Sequence, residues 1–139
     1  MKVRRLIGSF VLLAAIGTVS LLLVPTYACA GDTSKPRLKV VSLDSQSYKE
    51  ILGGPPESVR MKSGYVVLNP NQAVGKHSTG HHEELLVVLE GHGQMVLAEG
   101  NKLEVKANSA LYCPPETEHN VVNTGDSVLR YVYVVADTR

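Results

Sequence analysis

The stretch Gly75-Lys76-His77-Ser78-Thr79-Gly80-His81-His82-Glu83-Glu84-Leu85-Leu86-Val87-Val88-Leu89-Glu90-Gly91 decides how this chain reads. It places three of the five histidines and two carboxylates directly before an apolar run of strand character. Gly91-His92-Gly93 then supplies a turn and residues 93–98 a second such run, so the segment reads as a β-hairpin. The remaining histidine lies in Cys113-Pro114-Pro115-Glu116-Thr117-Glu118-His119-Asn120. Strand side chains alternate faces, so His77 and Thr79 share one face, while His82 and Glu84 share the inward face of the next strand. Two adjacent strands can thus aim His77, His82 and Glu84 at one point, and a third strand, entered through Pro114-Pro115, can bring His119 there from across the fold. Imidazole nitrogens and carboxylate oxygens are the usual ligands of first-row transition metals, so this clustering points to a metal site.

Outward from this centre the chain keeps one pattern. Short runs rich in Val, Leu and Tyr alternate with turn residues, as in an all-β sandwich or barrel. Strands are expected at 38–43, 59–68, 73–78, 85–90, 93–98, 102–106, 110–112, 119–123 and 128–135, and one helical turn at 47–52. Asn69-Pro70-Asn71, Gly100-Asn101 and Thr124-Gly125-Asp126 supply the turns between them. There is no internal repeat, low-complexity tract or long amphipathic pattern.

The first thirty residues carry Lys2, Arg4 and Arg5, then an uncharged run over 6–24, then Ala28-Cys29-Ala30. This is the plan of a secretory signal peptide cut after Ala30, with an uncleaved anchor through 6–24 or lipidation at Cys29 as competing readings. Each implies a periplasmic, secreted or membrane-anchored domain. Residues 31–57 read as lead-in and first strand, and 58–136 as the barrel. Beyond Ala30 remain eleven Lys and Arg against thirteen Asp and Glu, a net charge of −2. With no basic run, and neither Trp nor Phe left to stack on bases, nucleic acid is excluded as a partner. Cys113 is then the only cysteine, so no internal disulfide forms.

In its two motifs the chain resembles the cupin superfamily, whose first motif runs G-x5-H-x-H-x(3 or 4)-E-x6-G and whose second runs G-x5-P-x-G-x2-H-x3-N. The first is met by Asn71 in the leading glycine slot, His77, Thr79 in the second histidine slot, Glu84 and Gly91. The second is met by Asn108 in a glycine slot, Pro114, Glu116 in the next glycine slot, His119 and Asn123. The resemblance covers roughly 58–136 and implies a double-stranded β-helix, or jelly roll, with a metal in the barrel mouth. Thr79 is a poor ligand, so the usual three-histidine, one-glutamate set is incomplete. His77, Glu84 and His119 alone would suit non-haem Fe(II) with open positions; His82, on the same strand face as Glu84, is favoured to complete a fourfold set. Either way the cofactor expected is a divalent transition metal, with Fe or Mn favoured and Ni, Cu or Zn possible.

The function expected is a metal-dependent oxidoreductase of dioxygenase type acting on a small oxygen-rich molecule, with Glu84 or a tyrosine handling protons. A non-catalytic ligand- or metal-binding module and a redox-neutral isomerase or lyase are the alternatives, since one fold hosts all three. Only Lys76 and Arg60 are expected to lend charge to the pocket, which argues against a phosphosugar. His81 and His92, each beside glycine, read as solvent-facing, Glu83 as a surface charge and Cys113 as a small buried apolar residue. Tyr112, Tyr131 and Tyr133 are candidates for the pocket lining or the core. The strand 128–135 is apolar on both faces, broken only by Arg130, which predicts a homodimer.

Overall fold

A computed structural model describes residues 35–139. Nine strands form two antiparallel sheets: β1 (Lys49–Leu52), β2 (Met61–Leu68), β3 (His77–Ser78), β4 (His82–Glu90), β5 (His92–Leu97), β6 (Lys102–Lys106), β7 (Ser109–Cys113), β8 (Glu118–Val122) and β9 (Leu129–Asp137). One sheet has the order β1-β2-β9-β4-β7 and the other β3-β8-β5-β6. No helix occurs among the described residues. The signal or anchor segment expected over 1–30 lies outside them.

Alternation on the strands produces the core. Leu86, Val88, Met95, Val105, Val121 and Leu129 are almost completely buried between the sheets. Burial of each such side chain stabilises the fold by about 1.5–3 kcal/mol. Asn123, also fully buried, uses its side-chain nitrogen to donate to the Leu68 and Ser127 carbonyls at 2.8 Å each, while its oxygen accepts from the Gly125 N–H at 2.9 Å. The second motif's asparagine is therefore a buried brace with its polar atoms satisfied.

Four sequence expectations are corrected. The run around Gly91 is no hairpin: β4 pairs with β7 and β9, whereas β5 pairs with β6 and β8. Gly91, at φ 78°, carries the chain from one sheet to the other, and a Cβ there would lie 2.4 Å from the Val128 carbonyl oxygen. Residues 38–43 pair with no strand and leave Leu38 and Val40 exposed. Residues 47–52 form no helical turn; 49–52 become β1, because one turn cannot pay for its own nucleation while the edge of β2 offers backbone partners. The strand expected over 73–78 shrinks to β3 and a lone bridge from Ala73 to Val122, interrupted by Gly75 at φ 105°.

Candidate metal centre

His77 on β3 and His119 on β8 are register partners in the smaller sheet, with ring centroids 4.4 Å apart. Glu84 reaches them from β4 in the larger sheet, where its neighbours are Cys113 and Val135. The alternation that buries Leu86 and Val88 also turns Glu84 inward. Ligand atoms of His77, Glu84 and His119 all lie within 4.8 Å of one another. Glu84 and His119 are buried, whereas His77 is exposed.

Backbone carbonyls orient both rings. His77 Nδ1 lies 2.9 Å from the Gly75 carbonyl oxygen and His119 Nδ1 lies 3.2 Å from that of Thr117. A carbonyl only accepts, so each Nδ1 carries a proton, and in the neutral ring Nε2 is left with its lone pair. His119 Nε2 is 3.2 Å from Glu84 Oε2, yet it is buried with no hydrogen bond. That contact raises the His119 pKa above its ordinary value against the opposing effect of burial. A buried nitrogen without a partner is costly, and a divalent cation between it and the carboxylate would satisfy both. Two oriented imidazoles and one carboxylate therefore fit a transition metal.

His82, expected as fourth ligand, is not in this group. Its ring lies against His81, with centroids 4.3 Å apart, and its Nδ1 is 3.3 Å from the Thr79 carbonyl oxygen, although it lines the same cavity. The expected neighbours also change: His77 pairs with His119, and Glu84 is the residue that comes from across the barrel. Thr79, in the second histidine slot, is buried and used as a brace. Its hydroxyl donates to the Pro114 carbonyl at 3.0 Å and accepts from the Thr117 N–H at 2.9 Å. Its own N–H donates to the Thr117 carbonyl at 3.0 Å, the same oxygen that orients His119.

The centre opens into a cavity of about 730 Å³, a size that suits a small organic ligand. Val66, Leu68, Val121 and Tyr131 give it apolar walls continuous with the core. Tyr131 and Tyr133 line it, whereas Tyr112 is exposed on the outside. Burial pushes the Tyr131 and Tyr133 phenols well above their usual range, with the Glu84 carboxylate adding to both. Cys113 is buried as expected, its thiol 3.3 Å from the Met95 sulfur. Glu83 is a surface charge that accepts from the Tyr112 hydroxyl at 3.2 Å. His92 is exposed, and His81 is partly exposed with Nε2 3.7 Å from Asp137. Lys76 lines the cavity but pairs with Glu118, and Arg60 does not line it. Tyr48 and Lys62 do line it, unforeseen from the sequence. For Lys62 a signal existed: it alternates with Gly64, Val66 and Leu68 on one strand face. For Tyr48 there is none, because residues 47–52 read as a helical turn with no inward face assigned.

The family model for the cupin domain matches residues 64–135, just over half of the chain. The chain belongs to the cupin domain family. Several solved structures share the cupin barrel. One from Bacillus halodurans has a TM-score of 0.64 at 22% identity, covering 75% of this chain and 84% of that one. A Cupin 2 conserved barrel domain protein from Salinispora arenicola gives 0.61 at 21%, covering 73% and 91%. At these identities the likeness is one of fold. A curated relative, an uncharacterized protein of Methanocaldococcus jannaschii, is 42% identical over 55 residues, 40% of this chain. This chain spans only 42% of that relative's length. In the cupin pattern the positions of His77, Glu84 and His119 are ligand positions, in agreement with the cluster found here.

Proposed function

We propose that this cupin is an exported, metal-dependent oxidoreductase of dioxygenase type acting on a small oxygen-rich molecule. The observation that supports it is the three-residue centre at the wall of a ligand-sized cavity. His77, Glu84 and His119 would hold Fe or Mn; when bound, such a metal supplies adjacent open positions for dioxygen and a substrate oxygen. The chain's own groups do the rest. The Gly75 and Thr117 carbonyls fix the two rings, Glu84 would accept a substrate proton, and the apolar walls of Val66, Leu68 and Val121 would limit water. Export rests on the pattern of the first thirty residues. Homodimerisation rests on the outer face of the larger sheet, where Leu85, Leu89 and Tyr112 are exposed.

The test is metal analysis of untagged protein by mass spectrometry, followed by oxygen-uptake assays. Near-stoichiometric iron or manganese, oxygen consumption with a diol, phenol or diketone, and loss of consumption in Glu84→Ala are expected. Metal-loaded protein that consumes no oxygen with any of these would refute the oxidoreductase reading and favour a binding module or redox-neutral chemistry.

A further inference from the structure

The cavity also carries polar groups that the proposed metal chemistry leaves unused. Tyr48 precedes β1, Lys62 lies on β2 and Tyr133 on β9, and all three line the cavity. Gly64 pairs with Tyr133 and Lys62 with Val135, so Lys62 and Tyr133 project from adjacent strands on the inner face. The missing side chain of Gly64 is what lets both tyrosines in. A Cβ there would stand 2.7 Å from the Tyr133 ring and 2.8 Å from the Tyr48 ring. The two hydroxyls meet at 3.1 Å. When one donates to the other, the acceptor's own O–H stays free for a ligand. Burial holds the Tyr133 phenol well above its usual range, so it keeps its proton.

Charge points the same way. Lys62 has no ion-pair partner among the described residues, whereas Lys76, the other lysine of the lining, is held by Glu118. The carboxylate of Glu50 is turned toward Gly53 and is not part of the lining, although its charge reaches Tyr133. An ammonium and one free phenolic O–H, backed by the second phenol, suit a group that only accepts hydrogen bonds and carries one negative charge.

We propose that Tyr48, Lys62 and Tyr133 form a carboxylate-recognising end of the cavity, and that the ligand is a small organic monoanion. Its carboxylate lies against these three groups, and its remaining oxygen function faces His77, Glu84 and His119. This rests on the metal-centre reading above for the second contact only.

The experiment compares acetate, 2-oxobutanoate, benzoate and 2-hydroxybenzoate with their primary amides, each titrated to about 10 mM and followed by NMR shifts and calorimetry. Binding of at least two carboxylates about tenfold tighter than their amides is expected, with the preference lost in Lys62→Met. Tyr48→Phe and Tyr133→Phe should each weaken the carboxylates about threefold without altering metal content. Equal binding of acids and amides, no binding by any member, or a preference that survives in Lys62→Met would overturn the proposal. Metal content is measured on the same samples. Metal-loaded protein with no preference overturns the carboxylate assignment alone. Metal-free protein whose preference disappears in Lys62→Met supports it and overturns the metal reading alone.

Discussion

Glu116 holds a left-handed backbone at φ 57°, as do Asn71 at 65° and Asn108 at 62°. These are the three places where the cupin pattern carries glycine and this chain does not, so the pattern was reporting backbone shape. Asparagine tolerates that region, but glutamate has no such allowance. Glu116→Gly should therefore raise stability by about 0.5–1 kcal/mol, read as a higher urea midpoint at unchanged slope. Thr79 was legible as a missing ligand, but its bracing role was not, because its partners are backbone groups of a loop nearly forty residues away. Thr79→Ala strands a carbonyl and an N–H and loosens the carbonyl that orients His119. Stability should fall by about 1–3 kcal/mol and metal affinity about tenfold, with Thr79→Ser restoring both by calorimetry. Burial pushes the Cys113 thiol up to about 11, with the Glu84 carboxylate adding to the shift. The fold thus favours the neutral thiol, so its contribution is full below the unfolded value near 9 and disappears as pH rises through about 11. Between those limits the wild type should lose about 2–3 kcal/mol more than Cys113→Ala, measured by urea unfolding.

Strands were legible because alternation marks which residues face inward, and Glu84, Leu86 and Val88 follow it on β4. Sheet membership was not legible, since alternation names a face without naming a neighbour. That is why the run through Gly91 read as a hairpin and why His77 was paired with the wrong strand. The same distinction separates β9 from β1. β9 bonds to β2 on one side and β4 on the other, whereas β1 bonds only to β2 and shifts register between Glu50 and Leu52. Val132→Pro should abolish the folded circular-dichroism and NMR signatures. Ile51→Pro, at an edge and at the irregularity, should leave a folded protein melting only a few degrees lower. A comparable effect of the two would contradict this order of importance.

At the scale of the molecule, the outer face of the larger sheet brings Leu85 beside Val134 and Tyr112, and Val87 beside Val132. Light scattering at about 10 μM should give twice the chain mass, and Leu85→Glu should give the monomer mass. A monomer in the wild type would mean that this apolar face is only a tolerated surface. The doubly apolar strand 128–135 was visible beforehand, but the geometry of the cavity depends on how the two sheets close. Across that closure the three candidate ligands are unequally held. Glu84 sits in a nine-residue strand bonded on both sides, while His77 occupies the two-residue β3 at the edge of its sheet. Opening β3 breaks few bonds, so fraying there is the cheapest route by which His77 leaves the cluster. The lifetime of an ion held there, as distinct from its affinity, would be governed by how often that short edge peels away.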